Sequence, residues 1–484
     1  MSKFHPLSAY ENSASYKLLP FRFTALDEDR YVLTNMAGEY ALLPRQDLYD
    51  FVRHRIEPGS TAFRTLKSRH FLMDDDSNVA IDLLSLKTRT KFERLSNFTG
   101  LHLFVVTLRC EHSCPYCQVS RQNIEHSEFD MSPETAERAL DLVFRSPSPA
   151  IKIEFQGGEP LLNFPLIRHI VERATELNKV HNRDLGFVIA TNLALVTDEI
   201  LDFCRAQSIA ISTSLDGPAD LHNKNRPRPG GDSHQRAIAG IDRVRQALGR
   251  DQISAIMTTT TASLKRPREI IDEYVAHDFR GIFLRPLSPY GFAMKTKWYA
   301  AYKTPMWLDF YFDGLDYIIE LNKAGVPFSE YYASVILTKM LTPFQPGYVD
   351  LSSPAGIGIG ALVYNYDGDV YASDESRMLA EMGDKSFRLG NVHKDSYEDI
   401  ILSPALLDPL EASFAASAPM CSTCAFEPYC GAEPVFHHAT QGDPVGRKPI
   451  SDFCNRNMAI FRGLITRMEA DAETRHLFAR WANR

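Results

Sequence analysis

Leu101-His-Leu-Phe-Val-Val-Thr-Leu-Arg-Cys110-Glu-His-Ser-Cys114-Pro-Tyr-Cys117 decides how this chain reads. An apolar run of strand length passes directly into a C-x3-C-x2-C loop. Three thiolates this close can hold three corners of an iron–sulfur cubane, whereas clusters that only transfer electrons or brace a fold usually take four cysteines. The fourth iron is then open to a ligand. The competing reading is zinc, held by three thiolates and one imidazole. His112 is the one imidazole inside the loop, and its place between two ligands is sterically awkward.

Downstream, further apolar runs of strand length occur at 151–155, 187–190, 209–215, 253–257 and 282–284. Helical patterns at 133–145, 164–181, 198–205, 235–248 and 268–277 separate them. Six strands alternating with five helices predict right-handed βαβ units on a parallel sheet. Ser132 before Pro133 and Glu134 fits an N-cap with proline at the first helical position. Six units fall short of the eight of a closed barrel, so the expected fold is α/β, a partial (β/α)6 barrel with its chemistry at the C-terminal strand ends.

Before the barrel, Tyr31–Thr34 and Glu39–Leu43 flank Asn35-Met-Ala-Gly38, a hairpin pattern, and helical patterns follow at 48–54 and 61–67. Residues 1–95 are therefore expected to form an N-terminal module, either winged-helix-like or an extension that covers a sheet edge. The barrel is assigned to 96–300 and a helical connector to 301–350, centred on the aromatic-rich 306–324. A further domain spans 351–484, with a hairpin around Asp367-Gly368 and a closing helix near 455–468.

That last domain holds a second cysteine group, Cys421-x2-Cys424-x5-Cys430 and then Cys454. On residues alone it reads as a four-cysteine zinc site. Cys204, at the end of a helical pattern, reads as a small buried hydrophobe.

C-x3-C-x2-C after the first strand of a partial βα barrel, with Tyr116 before the third cysteine, resembles the radical S-adenosylmethionine enzymes. The resemblance implies a [4Fe–4S] cluster on Cys110, Cys114 and Cys117, whose open iron is chelated by the amino and carboxylate groups of S-adenosylmethionine. One-electron cleavage of that cofactor gives a 5′-deoxyadenosyl radical that abstracts hydrogen from substrate. Gln156-Gly157-Gly158-Glu159-Pro160 stands where the family has its GGE motif. The resemblance places Tyr116, Gly157, Gly158, Glu159, Thr191, Asn192, Ser214, Arg226 and Leu284 around the cofactor. Glu159 is to accept from the methionine ammonium, and Ser214 and Arg226 are to meet ribose or carboxylate. Arg228 competes with Arg226, and Leu284 is either an adenine contact or ordinary core.

The second cysteine group resembles the SPASM domain, which in full form holds two auxiliary [4Fe–4S] clusters. Here Pro434 replaces one expected cysteine. Ser352-Ser353-Pro354 and Ala372-Ser373-Asp374 replace others, and no cysteine lies between 205 and 420. The positions lost would ligate the inner auxiliary cluster. Those kept, Cys421, Cys424, Cys430 and Cys454, imply one auxiliary [4Fe–4S] cluster, fully ligated. Segments such as Lys17-Leu-Leu-Pro-Phe-Arg-Phe, Lys67-Ser-Arg-His-Phe and Cys424-Ala-Phe-Glu-Pro-Tyr-Cys430 look closest to the B-component maturase of the His-Xaa-Ser system. That likeness implies a ribosomally made precursor peptide as substrate, a reducing electron donor, and a second radical enzyme as a possible partner. The other readings are a sulfatase-maturase-like oxidation of Ser or Cys and a zinc scaffold without chemistry. No catalytic base can be named: Asp216, Glu330, Asp374 and Glu375 are all eligible.

Composition is compatible with this. With 53 basic against 61 acidic residues in 484, the net charge of −8 advertises neither nucleic acid nor an anionic membrane as partner. No apolar run approaches the roughly 18 residues of a spanning helix. The opening Met1–Asn12 lacks a basic stretch followed by an apolar one, so a cytoplasmic location is expected. In a reducing compartment, clustered cysteines serve metals rather than disulfides.

Overall fold

A computed structural model describes residues 16–75 and 79–483. The Met1–Asn12 stretch lies outside them.

The central sheet grows from the run that leads into the first cysteine loop. β1 (Tyr16–Leu18), β2 (Phe21–Ala25), β3 (Arg30–Asn35), β4 (Tyr40–Pro44) and β5 (Leu72–Asp74) precede β6 (Leu101–Thr107). Six of the seven β6 residues are buried, as a strand covered on both faces requires. β7 (Ala150–Gly157), β8 (Asp184–Ala190), β9 (Ala210–Ser214) and β10 (Ile253–Ile256) follow in parallel, in the order β10-β9-β8-β7-β6. Helices Pro133–Val143, Phe164–His181, Asp198–Ala206 and Ser233–Leu248 lie between successive strands, with Pro267–Ala276 after the fifth. Ser132 and Thr197 cap two of them by accepting from Thr135 N and Ile200 N, contacts of the kind worth about 1 kcal/mol each.

The sixth expected strand is shorter than its apolar run. β11 (Gly281–Ile282) pairs in parallel with β12 (Ser329–Glu330), not with β10. Leu284 N donates to the Glu330 carboxylate, and Pro286 has no N–H to offer a ladder. Thr259 N to Arg285 O (2.9 Å) still ties this segment to the end of the fifth strand. The barrel is thus partial, with five continuous parallel strands and a sixth segment bent away.

The Asp-Gly hairpin forms as expected: β13 (Ala361–Tyr364) and β14 (Asp369–Tyr371) are antiparallel, with β15 (Arg388–Asn391) beside them. β13 also pairs in parallel with β6, so the C-terminal segment extends the barrel sheet to eight strands. The connector helix spans Thr304–Lys323 and buries Trp307, Phe310 and Tyr311. The closing helix spans Asp452–Ala470 and is followed by another, Ala472–Ala482.

The N-terminal residues have a core of their own, including Tyr16, Leu33, Phe51, Phe63 and Phe71. β2-β3-β4 form a meander whose second turn is Asn35–Gly38, and helices Arg45–Val52 and Thr61–Ser68 follow. β5 returns to pair with β1. The meander docks on the 421–430 loop: Arg22 Nε donates to Ser422 O (2.7 Å), Arg22 Nη1 pairs with Glu427 (2.9 Å), and Tyr429 Oη donates to Gly38 O (2.7 Å). Among the described residues, no helix is long and apolar enough to cross a membrane.

Candidate active site

The first cysteine loop is pinned at both ends. Cys110 N donates to Gln122 O (3.0 Å), Ser113 N to Pro227 O (2.8 Å) and Phe292 N to Cys117 O (2.7 Å). Gly291 has a φ of +59°, and a Cβ there would meet Cys117 O and Gln118 O at 2.4 Å, so only glycine lets this segment lie against the loop. Cys110, Cys114 and Cys117 line one cavity of about 240 Å³ at the C-terminal ends of β6–β10. Burial pushes the Cys110 thiol well above its usual range and that of Cys114 up to about 12. A metal must therefore displace their protons.

His112 is not a free imidazole. Its Nδ1 faces the Glu111 carboxylate at 3.0 Å and its Nε2 faces Ser233 Oγ at 2.9 Å, which removes the fourth ligand that zinc would need inside the loop.

The opposite wall is built from strand ends. At Gly157 a Cβ would lie 1.9 Å from Thr107 O, and at Gly158 it would lie 2.2 Å from Arg109 O, so both positions accept no side chain. Thr191, Asn192, Ser214, Arg226 and Tyr116 also line the cavity. Tyr116 Oη donates to Asp216 Oδ2 (2.6 Å), Arg226 Nε lies 3.2 Å from the same oxygen, and the guanidinium stands over the Tyr116 ring at 5.5 Å. Burial opposes the Arg226 charge, but Asp216, Tyr116 and Cys114 together outweigh it and raise the pKa of the guanidinium. Arg228 is paired with Asp232 and does not line the cavity, whereas Arg226 does.

Two expected contacts are placed elsewhere. Glu159 is buried behind the wall: its carboxylate accepts from Leu161 N (3.0 Å), Thr191 Oγ1 (2.7 Å) and Asn192 N (2.8 Å), so it holds the loop after β8. Burial and the neighbouring Glu111 push it up to about 8. Leu284 is core, 2.8 Å from where a Cβ on Gly314 would be; its neighbour Arg285 reaches the cavity instead. One residue of register decides which side chain faces inward. Ser212, Thr258 and Met378 also line the cavity unforeseen; Ser212 precedes Ser214 by two residues, so strand alternation could have found it. Of the four eligible carboxylates, Asp374 lines the cavity. Asp216 is engaged with Tyr116 and Arg226, and Glu330 accepts from Ala333 N, Leu284 N and Tyr311 Oη.

The residues fit an iron–sulfur cluster with S-adenosylmethionine. Three thiols, two glycines with no room for a side chain, and an arginine share one cavity. Among the described residues, Gln118 Nε2 and Thr213 Oγ1, on residues that line it, are buried without a hydrogen-bond partner, polar groups that a native structure usually satisfies.

Cys421, Cys424, Cys430 and Cys454 line a second cavity of about 210 Å³, with Phe23 and Thr24 of the N-terminal meander on its wall. Burial raises all four thiols, Cys454 to about 11. Ser451 caps the closing helix by accepting from Cys454 N (3.1 Å), and His437 Nε2 lies 2.8 Å from Ser451 Oγ, which fixes the fourth thiol. This donor set fits one four-thiolate cluster. Cys204 is buried and away from both cavities.

Known proteins resemble this chain in sequence and in fold. Residues 104–273 match the Radical SAM superfamily. The chain is similar to the radical SAM cyclopropyl synthase TigE of Paramaledivibacter caminithermalis, 22% identical over 44% of this chain and 44% of that protein. It is also similar to a serine-type anaerobic sulfatase-maturating enzyme of Bacteroides thetaiotaomicron, 31% identical over 28% of this chain and 33% of that one. The chain thus spans less than half the length of these relatives. The solved structure of native anSMEcpe with bound AdoMet superposes with a TM-score of 0.63 at 17% identity, covering 79% of this chain and 99% of that one. Streptococcus suis SuiB bound to precursor peptide SuiA gives 0.52 at 14%, covering 88% and 97%. The fold is thus that of these two solved structures, with residues 104–273 matching the Radical SAM superfamily and a C-terminal extension after them that holds the second thiol group.

Proposed function

We propose that this protein is a radical S-adenosylmethionine peptide maturase acting on a ribosomally made precursor of the His-Xaa-Ser type, in which it forms a cross-link. The observation that carries the reading is the pairing of an open three-thiol cavity at the strand ends with a separate four-thiol cavity in the extension. When bound, the cluster and cofactor of the first cavity supply a primary carbon radical able to abstract hydrogen from an unactivated C–H bond. The chain's own residues bind and orient. Gly157 and Gly158 bring backbone to the ligand, and Arg226, fixed by Asp216, presents a permanent positive charge to a carboxylate. Thr191, Asn192 and Ser214 offer polar groups along the wall.

A cross-link removes two hydrogens from the peptide, so one hydrogen atom leaves to the radical and the other as a proton and an electron. The four-thiol site, closed to substrate by its ligand count, suits the electron. Residues 1–95 are proposed to recognise the leader segment by adding its strand to an edge of the β2-β3-β4 meander. Support for a peptide substrate comes from the fold shared with SuiB, whose structure holds its precursor peptide.

The test is to incubate reduced protein and S-adenosylmethionine with a peptide carrying His-Xaa-Ser repeats. Formation of 5′-deoxyadenosine and a product lighter by two hydrogens per cross-link is expected. Oxidation of a single Ser or Cys to an aldehyde would favour the sulfatase-maturase-like reading instead. Protein that binds zinc in place of iron would mean a scaffold without chemistry.

A further inference from the structure

A third cavity, of about 40 Å³, lies where the segment after β11, the connector and the C-terminal extension meet, and Arg285 is common to its wall and that of the catalytic cavity. Three carboxylates from three separate segments converge on it. Asp350 comes from the turn 349–351, Glu375 from the first turn of the helix Asp374–Ala380, and Glu433 from the cap of the helix Pro434–Gln441. One oxygen from each lies within 4.8 Å of the others. Oxygens bound to one ion at the usual 2.3–2.6 Å fall within such a span.

Three anionic groups this close repel one another unless something positive sits among them. Arg285 and Arg456 line the cavity and attract Asp350 through space, yet among the described residues neither comes within 4 Å of a carboxylate to pair with it. Asp350 has Tyr348 Oη as a donor at 3.3 Å and Glu433 accepts from Phe436 N at 3.1 Å, which leaves oxygens of all three for another partner. Tyr290 gives an independent sign. It is 1% exposed and lines the same cavity, and its hydroxyl has no hydrogen-bond partner among the described residues. A phenol oxygen left bare in a buried polar cavity is costly unless a ligand meets it.

We propose that Asp350, Glu375 and Glu433, with the Tyr290 oxygen, form a binding site for one hard divalent cation, Ca²⁺-like or Mn²⁺-like. All four donors are oxygens, the preference of such ions and not of zinc or iron–sulfur clusters. The cavity has room for an ion and about one water, too little for the side chain of a bound peptide. These carboxylates also lie close to the substituted cysteine positions: Asp350 precedes Ser352, Glu375 follows Asp374, and Glu433 precedes Pro434. Where an inner cluster would have joined these three segments, an oxygen-bound cation joins them here. It thereby fixes the helix that carries Asp374 and Met378 into the catalytic cavity.

The test uses the full chain with its clusters loaded, dialysed anaerobically against Ca²⁺ or Mn²⁺ and then against metal-free buffer. Retention of about one equivalent of at least one of the ions is expected beyond the iron. Affinity should fall at least about tenfold in Glu375→Gln and Glu433→Gln, with iron content unchanged. Both amides keep the side-chain shape, and in Glu433→Gln the amide oxygen can still accept from Phe436 N. Should they fail to fold, Tyr290→Phe takes their place and is expected to weaken binding severalfold. No retained ion, or retention unaffected by the substitutions, overturns the proposal. Three carboxyls merely sharing protons, or a seat for a basic side chain, would appear as no retained ion.

Discussion

Asp216 shows what single residues must do in this site. It is fully buried, accepts from Tyr116 and pairs with Arg226, so removing the arginine strands a buried charge. Arg226→Ala is expected to lower stability by about 3–5 kcal/mol and abolish cofactor binding. Arg226→Ala with Asp216→Asn should recover much of the stability and none of the binding, as read by thermal denaturation and equilibrium dialysis. At Gly158, an alanine Cβ would meet backbone at 2.2 Å, and Gly158→Ala should eliminate cofactor binding while iron loading persists. His437 gives a pH dependence. Burial depresses it to about 4, so its contribution to stability is complete above about pH 6.5 and is lost as pH falls toward 4. The melting temperature of the metal-free chain should therefore decline across that window, and His437→Gln should flatten the decline. A slope unchanged by the substitution would contradict this.

Among the elements, the meander and the 421–430 loop behave as one unit. Arg22 bridges them by pairing with Glu427, itself nearly buried, and by donating to Ser422 O. Arg22→Ala should cost about 1–3 kcal/mol and speed hydrogen exchange in both β2 and 421–430, leaving 110–117 as protected as before. Increased exchange in β2 alone would separate the two. The elements also show how far sequence carries. The alternation of strand and helix was legible because long apolar runs have unambiguous periods, and the hairpin at Asn35–Gly38 because its turn residues are specific. β1, β5 and β12 span two or three residues, too few for any period, and their pairing is set by distant partners. The antiparallel hairpin at Asp367-Gly368 was legible, but its parallel attachment to β6 was not, since register between segments 260 residues apart leaves no local mark. The two thiol groups were picked out by their spacing, and the kind of metal assigned to each came from the family resemblance. Glu159 and Leu284 were not, because which way a side chain faces at a strand end depends on the bend after the last ladder bond.

At the scale of the molecule, three cavities stand in order. The open thiol cavity lies at the barrel's strand ends, the carboxylate cavity adjoins it through Arg285, and the four-thiol cavity lies under the N-terminal meander. Phe453 lines the second and its neighbour Cys454 the third, so one helix start touches both. A peptide held at the meander and reacting at the barrel would span this series, with the closed cluster near its docking site.

The account rests on two clusters of different kind, and metal analysis with cofactor turnover tests it most directly. Anaerobically reconstituted protein should hold about eight irons per chain and form 5′-deoxyadenosine when reduced with S-adenosylmethionine. Alanine at Cys110, Cys114 and Cys117 should leave about four irons and no 5′-deoxyadenosine; alanine at Cys421, Cys424, Cys430 and Cys454 should leave about four irons and keep its formation. About four or about twelve irons in the unaltered chain, or zinc in their place, would contradict it.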